Sequence, residues 1–234
     1  QNIVTISAHS KYSLLYFFPK NILKKINTLY SPLKQTVLIE SSEVDILSLY
    51  ETAPKKYILM ICGDRCEKGA YRACKAIAGL LIKKNHIIPG DLKIVVLGVT
   101  YPKHYKAVTH NSERFIFHGY VSPEHLEILY KNAHLFLYPT MNEGFGAPPL
   151  EAMKYGTLCA CSANSAITEI CSDAVLYFNP FDEAEIGIRI LQSFDNDICS
   201  EKRKKMSIQY EKIHKRQEDD LQKLIDMLIS PNSL

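Results

Sequence analysis

The chain lacks any apolar run near the roughly 18–20 residues that a membrane span needs, which excludes a transmembrane helix. It lacks an excess of charge of either sign: 28 Lys+Arg stand against 25 Asp+Glu, a formal net charge of +3. That balance excludes nucleic-acid binding through a strongly basic face. Internal repeats and low-complexity segments are absent, and 47% hydrophobic with 23% charged residues excludes a disordered, collagen-like or coiled-coil chain. No basic-then-apolar leader is visible, so no signal peptide is expected. The first residue is Gln1 rather than methionine, and residues upstream are expected. No two cysteines have the C-x2-C spacing of a zinc site. The cysteines (Cys62, Cys66, Cys74, Cys159, Cys161, Cys171 and Cys199) are odd in number. Those at 62, 159 and 161 lie in apolar stretches, where a free thiol behaves as a small hydrophobe; buried thiols in a reducing compartment are expected.

What is present is an alternation of two periodicities. Short apolar runs at 3–6, 36–39, 57–62, 92–97, 114–117, 135–138, 158–161 and 175–178 read as strands. Several are continuous and β-branched, as at 93–97, the habit of strands buried on both faces of a parallel sheet. Between them, residues 68–84 put Ala70, Ala73, Cys74, Ile77, Leu80 and Leu81 on one helical stripe. Ser122 followed by Pro123 offers a cap and a proline at the first helical position. The β-α-β-α order predicts a Rossmann-like doubly wound parallel sheet. Two flanks differ. Residues 1–35 hold one strand, a Tyr/Phe-rich helix at 11–18 and a turn at 30–33. Residues 199–229 form a long polar helix whose basic run at 202–205 reads as a solvated face, with membrane-surface contact as the other reading.

Two strand-to-helix junctions carry the chemistry. The first runs Tyr138-Pro-Thr-Met-Asn-Glu143-Gly-Phe-Gly-Ala-Pro-Pro-Leu-Glu151. Gly144 and Gly146 allow close backbone approach to a ligand, and Pro148 and Pro149 place a helix N-terminus there. Free N–H groups at such a terminus suit phosphate. Glu143 lies before the terminus and Glu151 near its first or second turn, so both are expected to border one pocket. Carboxylates there accept from sugar hydroxyls; alternatively both are acids favoured by the helix dipole. The second junction is Gly63-Asp-Arg65-Cys-Glu-Lys68. It sets two cations at the carboxyl edge of the sheet, able to neutralise a diphosphate without a metal, or else forms a solvated basic turn. Asp195-Asn-Asp197 has the form of a metal motif but follows a helical pattern, and reads as a loop between helices. His118, beside Gly119, reads as a structural histidine that could border the pocket.

With those residues in view, the chain resembles the retaining GT-B glycosyltransferases of the family 4 type. Glu143 to Glu151 has their E-x7-E form. Phe117-His-Gly119-Tyr-Val121, the helix from Ser122 to Tyr130, Ala133-His-Leu-Phe-Leu-Tyr-Pro-Thr140, Gly156-Thr157, Thr168-Glu169-Ile170 and Asn179-Pro180 follow the family pattern in order. The resemblance covers residues 57–195, with weaker matches over 1–35. His134 in place of an aspartate, Thr140 in place of serine and a short spacing between Arg65 and Lys68 depart from it.

The resemblance implies the C-terminal, donor-binding half of a GT-B fold: a remnant of the N-terminal domain and linker at 1–35, the donor domain at 36–198 and a helical tail at 199–234. It implies that Glu151 binds the ribose hydroxyls of the donor. Glu143 faces the donor sugar, with the backbone of Gly144, Phe145 and Gly146 near sugar and diphosphate. Arg65 and Lys68, in the turn opened by Gly63, stabilise the leaving diphosphate. Gly119, Tyr120 and Val121 lie along the base. The reaction implied is transfer of a hexosyl group with retention from a UDP-, GDP- or ADP-sugar, without cofactor or metal, to a glycan or lipid-linked acceptor in cell-surface polysaccharide or glycoconjugate synthesis. The missing N-terminal half is an implied partner, nucleic acid is not, and the location implied is cytoplasmic, with peripheral contact at the inner face of the membrane. A GT-B-fold nucleotide-sugar epimerase and a non-catalytic sugar-nucleotide-binding or assembly module are the alternatives. An exposed apolar patch is expected at Tyr12, Leu15, Tyr16 and Phe18.

Overall fold

The computed structural model describes residues 3–33, 42–63, 65–83 and 86–229; the expected strand at 36–39 and Asp64 lie outside the described residues. The chain opens with strand β1 (Ile3–Thr5), helix α1 (Ala8–Ser13) and strand β2 (Ile26–Thr28). β1 and β2 pair in parallel, Ile3 opposite Ile26. Two strands therefore stand where one was expected: β2 is three residues long with a single buried apolar side chain, too short to show a period. The helix expected at 11–18 starts earlier because Ser7 accepts the Ser10 N–H at 3.0 Å and caps it. It then tightens into a 3₁₀ turn over Leu14–Tyr16. No turn forms at 30–33. Tyr12, Tyr16, Phe17 and Phe18 are exposed, as the expected patch requires; Leu15 is only half-buried.

The remaining strands are β3 (Tyr57–Ile61), β4 (Lys93–Leu97), β5 (Phe115–His118), β6 (Leu135–Tyr138), β7 (Cys159–Ser162) and β8 (Leu176–Phe178). They form one sheet in the order β5-β4-β3-β6-β7-β8, every pairing parallel. Its helices are α2 (Glu43–Leu49), α3 (Ala70–Ile82), α4 (Lys103–Val108), α5 (Pro123–Asn132), α6 (Ala147–Lys154), α7 (Ser165–Cys171), α8 (Glu183–Gln192) and α9 (Asn196–Ile229). Alternate residues feed opposite cores. Ile58, Met60 and Val96 pack with Ala73, Ile77 and Ile190 on one face. Tyr57, Leu59 and Val95 pack with Ile46, Leu129 and Met153 on the other. Burial on both faces is why these strands read as unbroken apolar runs. Six cysteines are buried, and Cys66 is exposed in the loop after β3.

Local hydrogen bonds set the helix starts, at the expected residue for α5 and earlier than expected for α9. Ser122 caps α5 by accepting the His125 N–H at 3.3 Å, with Pro123 at the first position. α9 begins at Asn196 rather than 199, because Asp195 Oδ1 accepts the N–H groups of Asp197 and Ile198, each at 3.0 Å. That carboxylate of the D-x-D sequence is a helix cap. The basic run on α9 is partly tied down: Lys205 pairs with Asp173 and Glu201, both at 2.9 Å, and Lys202 donates to the Asp173 carbonyl at 2.8 Å. Among the described residues no helix is long and apolar enough to cross a membrane.

α9 returns to the first segment. Asp220 accepts the Tyr30 N–H at 3.0 Å, Gln217 donates to the Ser31 carbonyl, and the Arg216 guanidinium lies 3.7 Å from the centre of the Tyr30 ring. Burial works against the charge on Asp220, but the Lys223 ammonium and the Tyr30 N–H outweigh it and hold the carboxyl below its usual range.

His134, where the family pattern has an acid, carries a pH-dependent term in stability. Its ring stacks on Phe194 with centroids 4.4 Å apart, and Nε2 is 3.1 Å from Ser193 Oγ. Ser193 spends its own proton on the Ile190 carbonyl at 2.6 Å, so His134 Nε2–H is the donor. Burial, then the cations Arg203 and Lys55, lower its pKa to about 4. Between that value and the ordinary value near 6.5 the unfolded chain binds more protons than the folded one. The stabilisation is therefore full above about pH 6.5 and is lost as pH falls through about 4, at most about 3 kcal/mol. Urea midpoints at pH 7.5 and 5 should fall for this chain and fall less for His134→Phe; equal losses contradict the assignment.

Candidate functional site

In strand order the direction of winding reverses at β3, which pairs with β4 on one side and β6 on the other. In open α/β sheets, ligands bind beyond the carboxyl ends of the strands at such a point. The two sequence junctions leave these two strands and touch there. The Met141 N–H donates to the Glu67 carbonyl at 2.7 Å. Gly69 lies against the carbonyl of Pro139: a Cβ on it would fall 2.0 Å from that oxygen. A 3₁₀ turn over Cys66–Lys68 then presents Lys68 toward the β6 loop.

Lys68 Nζ is ion-paired to Glu143 Oε1. The same oxygen accepts from Tyr138 Oη at 2.6 Å and Thr140 Oγ1 at 3.2 Å. Both charged side chains are largely out of water, 14% and 15% exposed. Burial, then the Glu143 carboxylate, pushes the Tyr138 phenol up, so it remains a donor throughout the ordinary pH range. The Glu143 backbone is held too, its N–H donating to Ser165 Oγ at 3.0 Å. Arg65 differs from Lys68. Its side chain is 67% exposed and, among the described residues, pairs only with Glu67, at 3.4 Å, a surface pair of little energetic weight.

Beyond Glu143 the chain turns through Gly144 and Phe145 to Gly146, whose φ of +99° ends the loop before Ala147 and the two prolines open α6. The Phe145 side chain is buried against Tyr30, Leu150, Ile170 and Ile213, so only its backbone faces the loop. Glu151, in the second turn of α6, accepts from Tyr130 Oη at 2.9 Å. Burial and that carboxylate raise the Tyr130 phenol well above its ordinary value. Leu33, Glu151, Tyr120, Val121, Leu126 and Tyr130 are among the residues that line a cavity of about 190 Å³. Glu143 is not among the described residues that line this cavity; it lies with Lys68 at the β3–β6 switch point. Tyr120 is 90% exposed at the rim. Gly119 accepts from the Gly98 N–H at 3.0 Å, and a Cβ on Gly98 would fall 2.8 Å from Gly63 N, so these turns are packed edge to edge.

His118 is half-buried, its ring meeting Tyr50 edge-on at 4.6 Å. Burial lowers its pKa, as for a structural histidine, and it does not line the cavity. Sequence reasoning missed Tyr130, Tyr138 and Ser165. The tyrosines read as strand or helix core, and only the fold shows where their hydroxyls go.

Residues 47–213 match the family model described as Glycosyl transferases group 1. Over 79 residues the chain is 44% identical to O-antigen chain mannosyltransferase B of Escherichia coli, covering 34% of this chain and 21% of that one. Over 63 residues it is 43% identical to O-antigen chain mannosyltransferase RfbU of Salmonella typhimurium, covering 27% and 18%. The matched stretches thus span about a fifth of these relatives. A glycosyltransferase structure from Rickettsia africae superposes with a TM-score of 0.78 at 16% identity, over 97% of this chain and 62% of that one. WaaG, a glycosyltransferase involved in lipopolysaccharide biosynthesis, superposes at 0.67 and 15% identity, over 92% and 58%. At those identities the likeness speaks for the GT-B type of fold alone. Together with the family match over most of its length, it establishes that this chain belongs to the group 1 glycosyltransferases.

Proposed function

We propose that the chain is the donor-binding part of a retaining, metal-independent glycosyltransferase that moves a mannosyl group from a nucleoside-diphosphate sugar during polysaccharide synthesis. The observation that carries this reading is the shielded Lys68–Glu143 pair at the switch point of the sheet. A lysine ammonium has three donors; Glu143 takes one and Tyr138 Oη, at 3.4 Å, a second, which leaves Lys68 one for a phosphate oxygen. Charge accumulating on the leaving diphosphate would be stabilised there, with Arg65 at the rim. Glu143 would meet the sugar hydroxyls, aided by the backbone at Gly144, Phe145 and Gly146. Glu151, fixed by Tyr130, would accept from the ribose hydroxyls, and Gly119–Val121 would border the base beside the turn at Gly63. Front-face attack needs no carboxylate pair at the roughly 5 Å spacing of retaining hydrolases. The mannosyl assignment rests on the names of the relatives. The division into 1–35, 36–198 and 199–234 belongs to the same proposal, as do an acceptor site on an N-terminal half, a glycan or lipid-linked acceptor, and action in the cytoplasm at the inner membrane face.

A thermal-shift panel of UDP, GDP, ADP and their sugars tests it. A ligand at about 100 times its Kd should add about 2.7 kcal/mol of stability. One nucleotide series should stabilise the chain, and should do so undiminished in excess EDTA. A strict magnesium or manganese requirement contradicts the metal-independent site.

A further inference from the structure

The turn carrying Glu143 and the N-terminal segment form a closed circuit of hydrogen bonds. The Gly144 carbonyl accepts from Ser7 Oγ at 2.6 Å and Ser10 Oγ at 3.0 Å. Ser7 caps α1, and the first α1 amides, Ala8 N–H and His9 N–H, donate to the two carboxylate oxygens of Glu169 at 2.9 and 3.0 Å. Glu169 lies one turn along α7 from Ser165, whose hydroxyl accepts the Glu143 N–H. The Ala166 N–H of the same helix reaches the Glu143 carbonyl at 3.5 Å. Tyr30 adds a parallel link: its hydroxyl donates to Glu169 Oε1 at 2.7 Å, and its ring meets Phe145 edge-on at 5.3 Å. Burial, then Glu169, pushes the Tyr30 phenol up, which keeps it a donor.

We propose that Glu169 is a positioning residue for Glu143: it registers segment 3–33 on the Glu143–Gly144 turn, so that Glu143 keeps its orientation toward the donor sugar. The inference rests on the proposed role of Glu143. A carboxylate suits this junction because it has two acceptor oxygens and no donor, and can take both α1 amides and a phenol together. An amide of the same shape would turn an NH₂ toward a backbone N–H and break one arm without leaving a cavity. Among the described residues, the groups that donate to Glu169 are Ala8 N–H, His9 N–H and the Tyr30 hydroxyl, all on segment 3–33 and none on the six-stranded sheet. Its loss should therefore loosen the register of the segment and leave the sheet intact.

Calorimetry on the 234-residue chain and on Glu169→Gln, with GDP and GDP-mannose as one pair and UDP and UDP-glucose as the other, tests the proposal. For the pair that binds, affinity for the free diphosphate should stay within about twofold, and preference for the sugar nucleotide over the diphosphate should fall about tenfold. Hydrogen exchange at Ala8 and His9 should accelerate while β3 and β6 stay protected, and Glu169→Asp, which keeps both acceptor oxygens, should restore part of the preference. A preference that Glu169→Gln leaves intact, or equal losses for sugar nucleotide and diphosphate, overturns the inference alone. A chain that binds neither pair, or binds without preference for the sugar, overturns the donor reading and this inference with it.

Discussion

Replacing Gly69 by alanine should cost about 4 kcal/mol of stability and displace Lys68 from Glu143. Two costs act at one atom. Gly69 sits at φ +69°, a left-handed backbone that costs a residue with a Cβ about 1 kcal/mol. The Cβ would also lie 2.0 Å from the Pro139 carbonyl oxygen and 2.9 Å from its carbon. Both neighbours are backbone, so the start of α3 must move away from the β6 loop, a strain large enough to place the change in the exceptional class of substitutions. Gly79, ten residues further on and inside α3, is the control. It has nothing within 4 Å of its would-be Cβ, and alanine there should be neutral or stabilise by roughly 0.5–1 kcal/mol. Urea unfolding of the two variants measures this, and a loss under about 1 kcal/mol for Gly69→Ala contradicts the contact.

Glu143→Ala should be the most informative change at the site itself. It strands the Lys68 ammonium and removes the acceptor shared by Tyr138 and Thr140. Breaking a fully buried ion pair costs about 3–5 kcal/mol, but Lys68 is near the surface and can swing outward, so about 2 kcal/mol is expected. The fold should survive, because neither Lys68 nor Glu143 belongs to a core cluster. The sugar part of a donor should lose its carboxylate partner, weakening sugar-nucleotide binding at least about tenfold, ~1.4 kcal/mol. Glu151→Ala acts elsewhere, in the cavity beside Tyr130, and should weaken the nucleoside diphosphate itself.

How far these sites could be read from the chain depended on where the information lay. Strands β3 to β8 were legible because burial on both faces leaves an unbroken apolar run, as in Tyr57–Ile61 and Lys93–Leu97. The E-x7-E junction was legible because glycines and prolines punctuate it: Gly146 must be left-handed, and Pro148 and Pro149 fit only a helix start. β2 and the short helices α2, α4 and α7 were not, since a three-residue strand and helices of six or seven residues are too short to show a period. The unequal exposure of Arg65 and Lys68 was hidden as well. Three residues apart in sequence, they differ because only Lys68 is turned by the 3₁₀ segment and Gly69 onto the β6 loop. Glu169 was visible as part of the family pattern, but its partners appear only in the fold, about 140 to 160 positions away.

In the proposed function Glu143 and Glu151 serve different parts of one donor. Calorimetry of a nucleoside diphosphate and of its sugar conjugate against the chain, Glu143→Ala and Glu151→Ala tests it most directly. Glu151→Ala should lose affinity for both ligands. Glu143→Ala should keep the diphosphate within about twofold and lose the sugar conjugate by about tenfold or more. Equal losses of the free diphosphate in the two variants would contradict the division of roles.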